Sequence, residues 1–143
     1  MAILNYTTTI AASKSVAEVQ HILAKAGVRQ INVQYEHGAP ASLEFMLLLS
    51  NQPVYFRLPS NTHGVLEALK ASPQVPRSKS TEEQARRVAW RIIKDWTAAQ
   101  IAVVEAGQAE IAEVFLPYAI VYENQTMFQV FADSKRKLLT EGQ

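Results

Sequence analysis

The segment from Ser80 to Val104 carries apolar residues around more of its circumference than any single layer can cover, and this constrains the fold most. Ser80 and Glu83 have the spacing of a capping box, the signature of a helix start. Counting about 100° per residue from Ala85, a stripe forms from Val88, Ala89, Ile92, Trp96, Ala99 and Val103. Trp90, Ile93, Ile101 and Val104 widen it to an arc of about 200°. One sheet buries a narrower face, so the pattern predicts a long helix with surplus apolar surface that self-association would bury, a homodimer at least.

The rest of the chain reads as a small sheet. Leu4, Tyr6, Thr8 and Ile10 alternate with polar residues, which predicts a first strand over Ala2 to Ile10. Ser15 and Glu18 suggest a capped helix carrying Val16, Val19, Ile22 and Leu23 until Gly27. Ile31, Val33 and Tyr35 alternate in a second strand, and His37-Gly38-Ala39-Pro40 reads as the turn after it. Leu43, Phe45, Leu47 and Leu49 continue as a strand whose other face, with Met46 and Leu48, is apolar too, so a central strand covered on both sides is expected. Val54, Phe56 and Leu58 complete a meander that Pro59 ends. A short helix begins near Asn61 or Thr62, and Ser72 to Lys79 is a linker with two prolines. Beyond Gly107, Ile111 to Leu116 suggests more helix. Tyr118 to Tyr122 fits no single pattern, and Met127 to Phe131 fits a short helix or a strand equally; Lys135-Arg136-Lys137 reads as a basic, frayed tail. The expected fold class is α+β: a small antiparallel sheet ordered β-α-β-β-β with one packed helix, then a helical C-terminal half. It is expected to be one domain over 1–143, with 1–59 mainly sheet, 60–122 mainly helical and 123–143 a short terminal segment.

Composition removes several function classes. With no cysteine, the chain has no disulfide, thiol nucleophile or thiolate metal site. His21, His37 and His63 lack metal-ligand spacing, paired carboxylates for acid–base work are scarce, and no Gly-rich loop precedes a helix. A non-enzymatic protein without metal or cofactor is expected. No basic-then-apolar leader and no membrane-length apolar run stands in the sequence, so a cytoplasmic location is expected.

What remains is recognition. Pro76 to Trp96 holds both tryptophans and six of the fourteen Lys and Arg residues, which offsets a net charge of only +1 by local clustering. Arg87, Arg91 and Lys94 project opposite the main stripe with Trp90 at their border, a pattern suited to phosphates and a stacked base. The bland alternative is a solvated helix face with Trp90 packed beneath its neighbours. Tyr55 and Arg57 share a strand face and could line a groove, unless Arg57 is paired with an acid such as Glu44 or Glu67. Arg77 and Lys79 in the linker could add phosphate contacts.

Longer phrases converge on a resemblance: Met1 to Thr8, Phe56-Arg57-Leu58-Pro59, Val88 to Trp96, and Glu113 to Ala119. Together they resemble a widespread family of small uncharacterised proteins encoded by bacteriophages, prophages and mobile elements, over nearly the whole chain up to about Tyr122. The resemblance implies a phage origin and carries no site residues with it. The leading expectation is an oligomeric binder of nucleic acid, preferably single-stranded DNA, through Tyr55, Arg57, Arg77, Lys79, Arg87, Trp90, Arg91 and Lys94. The alternative is an anti-defence protein that docks on a host immune component or encloses a nucleotide signal. An exposed groove would favour a polymer, a deep cavity a nucleotide, and a flat apolar patch with few cations a protein.

Overall fold

A computed structural model describes residues 3–141. Helix α1 (Ala12–Lys25) is followed by a meander of β1 (Gln30–Glu36), β2 (Ala39–Leu49) and β3 (Gln52–Arg57). Then come α2 (Thr62–Ala71), a 3₁₀ turn at Arg77–Lys79, the long α3 (Glu82–Glu105), the short α4 (Ile111–Val114) and a second 3₁₀ turn at Leu116–Tyr118. A small hairpin of β4 (Ile120–Tyr122) and β5 (Gln125–Thr126) leads into α5 (Met127–Glu141). The α+β class, the meander and the long helix match the pattern read from the sequence.

The sheet is antiparallel with order β1-β2-β3. Both of its hairpins, and that of β4–β5, close with two residues of positive φ: His37-Gly38, Ser50-Asn51 and Glu123-Asn124. Left-handed two-residue turns match the twist of the strands they join. The β1–β2 register jumps from Gln34↔Ser42 to Tyr35↔Pro40, which leaves Ala41 as an extra residue in β2 while β1 stays regular. The turn predicted over His37 to Pro40 is therefore only His37-Gly38. Pro40 is accommodated within the strand beside the bulge, where a missing amide hydrogen costs least.

Strand alternation sends Leu43, Phe45 and Phe56 to one side, where they meet Val16, Val19 and Leu23 of α1 and Trp90 and Ile93 of α3. Phe45 stacks on its cross-strand partner Phe56 at 5.2 Å between ring centroids, and Phe115 closes edge-on at the same separation. A second, smaller cluster of Leu69, Val75 and Ala85 ties α2 to the start of α3. Helices α1 and α3 cover this side of the sheet. Met46 and Leu48 point the other way, so β2 is central but not covered on both sides as expected; Leu48 is 61% exposed.

Four further expectations need correction. The N-terminal segment forms turns, with Tyr6 N bonded to Ile3 O and Thr8 N to Asn5 O, and no strand among its described residues; Ala2 of the expected strand lies outside them. Gln84 donates its side-chain amide to the carbonyls of Tyr6 and Thr8 at 2.8 and 3.0 Å and so holds this segment against the start of α3, away from the sheet. Helix α1 begins at Ala12, so Ser15 is buried within the helix and caps nothing. Thr81, not Ser80, caps α3, its hydroxyl accepting from Gln84 N at 3.2 Å. The buried face of α3 is centred on Trp90, Ile93, Thr97 and Ile101, while Ala99 is exposed. Tertiary cover from α1, the sheet, α2 and the N-terminal turns moved that centre. Gly107, at φ 76, follows the end of α3, with Gln108 N reaching back to Val103 O. The segment expected as a frayed tail continues α5 in its backbone, and the side chains of Arg136 and Lys137 lie outside the described residues.

Candidate interaction surface

The eight predicted site residues divide into separate places. Trp90 is fully buried, and its indole N–H donates to Pro40 O at 3.2 Å. It has no face to offer a base. The bulge explains its partner: a carbonyl displaced from the regular ladder needs a donor, and a core indole needs an acceptor.

Arg87, Arg91 and Lys94 are anchored by carboxylates. Arg87 pairs with Glu83 at 2.6 Å and takes Gln84 Oε1 at 3.0 Å. Arg91 reaches across to α1, where it meets Glu18 at 2.9 Å and Ser15 Oγ at 3.5 Å. Lys94 lies between Glu18 at 3.9 Å and Asp95 at 3.6 Å. Glu18 thus serves two cations of α3, and Lys14, one turn away on α1, carries no ion pair among the described residues. With His21 these residues line an open groove between α1 and α3 of about 590 Å³. Lys14 and His21 were not singled out as partners of the basic helix, although their spacing around Glu18 places all three on one face of α1.

Tyr55 and Arg57 stand on the opposite side of the sheet, because β3 alternation turns them away from Phe56. The hairpin and helix cations are therefore separated by the core and form no common locale. Arg57 is held three ways: its Nε donates to Glu44 at 3.0 Å, and its terminal nitrogens donate to Asn124 O at 3.1 Å and Asn124 Oδ1 at 2.5 Å. This ties β3 to the β4–β5 turn. Tyr55 is 46% exposed beside Met46, its cross-strand partner. Arg77 and Lys79 sit in the 3₁₀ turn before α3, and their side chains make no hydrogen bond or ion pair among the described residues.

The open face of the sheet has two halves. Along β1 it is polar, with Gln30, Asn32, Gln34 and Glu36, as a solvated antiparallel face should be. Along β2 and β3 it carries Met46, Leu48, Pro53 and Tyr55 around the Arg57–Glu44 pair. On the β3 side an isolated bridge between Phe56 and Ala119 brings in the C-terminal segment, which exposes Val121 and Tyr122. Helix α5 then presents Phe128 and Phe131, 60% and 65% exposed, and Phe128 shares a cleft with Arg57 and Asn124. Exposed apolar residues thus stand both on the open sheet face and on the C-terminal segment, joined at the cleft of Phe128 and the already neutralised Arg57, and nothing in the sequence periodicity of residues 118–131 disclosed the C-terminal part.

A polar cleft of about 490 Å³ separates the β1–β2 turn from the start of α2. His37, Ser60 and His63 line it, with neither histidine hydrogen-bonded to a hydroxyl among the described residues. No group of three His, Asp or Glu side chains among the described residues could hold a metal ion, and no helix there is long and apolar enough to cross a membrane. No family model matches the chain, and no curated protein or solved structure shows significant similarity to it.

Proposed function

We propose that this chain is a non-enzymatic protein-docking module whose contact surface is the apolar half of the open sheet face together with the exposed face of the C-terminal segment. The observation that supports this reading is the row of Met46, Leu48, Pro53 and Tyr55 on the open face of β2 and β3, next to an Arg57 that is already paired with Glu44 and shares a cleft with the exposed Phe128. Solvated sheet faces are ordinarily polar, and contiguous exposed apolar area of this kind is what protein partners bury. Aromatic residues around a neutralised, hydrogen-bonded arginine also match the composition of interface centres. For a phage-encoded chain, as the resemblance implies, the target class is a host protein, which is the anti-defence reading in its docking form.

One observation favours nucleic acid as a second reading. Arg91 and Lys94 share Glu18 in the open α1–α3 groove and Lys14 beside them carries no ion pair among the described residues, so the groove keeps an excess of positive charge. Under this reading the track is Lys14, Arg91 and Lys94, with Trp90 taking no part. Three phosphate contacts give a slope of about −2 in log affinity against log salt for a single strand.

A single experiment separates the two. A photo-reactive benzoylphenylalanine is placed at Tyr55 in one variant and at His21 in another, and both are irradiated in bacterial cells. Protein adducts from position 55 that vanish when Leu48→Glu is added support docking. Nucleic-acid adducts from position 21, with silence at 55, replace it with the second reading.

A further inference from the structure

Strand β1 is an edge. Its inner side pairs with β2, and among the described residues no strand or helix lies along its outer side. An exposed edge presents a row of unpaired amide and carbonyl groups, and proteins that must stay monomeric usually blunt it with proline, lysine, a bulge or a covering segment. Strand β1 has none of these. It runs seven residues, Gln-Ile-Asn-Val-Gln-Tyr-Glu, without proline or lysine, and its one charge, Glu36, stands at the end. The bulge near its turn belongs to β2, through Ala41, so the outer edge of β1 keeps a regular pleat throughout.

We propose that this edge is completed by a second copy of the chain, β1 pairing antiparallel with β1 of its partner about a two-fold axis at Val33, so that two three-stranded sheets become one of six. The sequence of the strand is self-complementary in that register. The two-fold places Ile31 opposite Tyr35 and Val33 opposite itself on the helix-bearing face. On the open face it sets Asn32 opposite Gln34 and Gln30 opposite Glu36. No like charges oppose one another, amides face amides, and Tyr35, 61% exposed in the single chain, gains an aliphatic neighbour. It is also the register in which all seven residues overlap. A foreign peptide could use the same backbone groups, but this symmetry in side-chain chemistry is what an isologous interface requires. The apolar docking surface lies toward β3, on the far side of the sheet from this edge, and stays free.

The test uses the full chain. Sedimentation across a dilution series is expected to show a dimer for the unaltered protein and monomers for Asn32→Lys/Gln34→Lys, which sets introduced lysines opposite each other twice and weakens pairing at least about tenfold. Both positions are exposed, so circular dichroism should show the fold retained. Asn32→Glu/Gln34→Glu should also be monomeric alone, and mixing the two variants should restore a mixed dimer. As an independent readout, Val33→Cys creates the single cysteine of the chain, and opposed Cα atoms about 4.5–5.5 Å apart allow a disulfide under mild oxidation. A monomeric unaltered protein, variants that remain dimeric, or a Val33→Cys protein that fails to cross-link would each overturn the proposal.

Discussion

At the scale of single residues, Trp90 shows how far a helical projection can be trusted. Counted around α3 alone, it falls at the border between the apolar stripe and the cations, where an exposed aromatic and a core residue look the same. Its environment is decided by Pro40, fifty positions away in the chain, whose carbonyl becomes available because Ala41 bulges from β2. A Trp90→Phe substitution keeps most of the apolar volume but leaves that buried carbonyl without a donor. The expected loss is about 1–3 kcal/mol of unfolding free energy, read from the urea midpoint at unchanged slope. Loss of binding without loss of stability would mean that the indole faces a ligand.

Among the secondary-structure elements, the strands of the meander were legible from period-two alternation, whereas their turns are tighter than the sequence suggests, two residues each at His37-Gly38 and Ser50-Asn51. Helix starts were less legible: the cap of α1 lies at Ala11, four residues before the expected Ser15, and that of α3 one residue after the expected Ser80. Ser80-Glu83 and Thr81-Gln84 carry the same spacing one position apart, and the structure caps with Thr81, whose hydroxyl accepts from Gln84 N while the Gln84 side chain bonds the N-terminal turns. Thr81→Ala should therefore cost about 1 kcal/mol, whereas Ser80→Ala, whose hydroxyl makes only 3.3 and 3.4 Å contacts to Pro76 O and Leu69 O, should cost less than about 0.5 kcal/mol. Chemical denaturation of the two variants side by side checks the order. A similar signal lay unread near the C-terminus. Thr126 and Gln129 form a reciprocal capping box, Thr126 N donating to Gln129 Oε1 at 2.8 Å and Gln129 N to Thr126 Oγ1 at 3.3 Å, which selects helix over strand for Met127 to Phe131. The first strand failed for the opposite reason: alternation is a local property, and Tyr6 and Thr8 are held by the Gln84 side chain at the start of α3 and join no sheet.

For the whole molecule, the cations were identifiable from sequence but their sidedness was not. Arg91 is neutralised by Glu18, seventy-three positions away, and Arg57 points away from α3 because Phe56 points toward it. Both facts belong to the three-dimensional arrangement. That arrangement also separates stability from recognition. Among the described residues, every member of both buried clusters lies at or before Ala119, while α5 packs mainly on β4, β5 and the 3₁₀ turn at Leu116–Tyr118 and turns Phe128 and Phe131 to solvent. A helix that buries little apolar surface in its own chain contributes little to folding, since burial is the main source of stability. A chain ending after Thr126 should therefore unfold cooperatively, with a free energy within about 1–2 kcal/mol of the full protein, the cost being mainly the lost Met127 N to Ala119 O bond and the cap of α5. Its cross-linking from Tyr55 should fall sharply, because Phe128 no longer borders the surface. Calorimetry and photo-cross-linking on the same preparation read the two effects separately. If the shortened chain is unfolded, α5 belongs to the core; if it folds and cross-links as before, the partner does not reach the C-terminal segment and the contact surface contracts to the sheet.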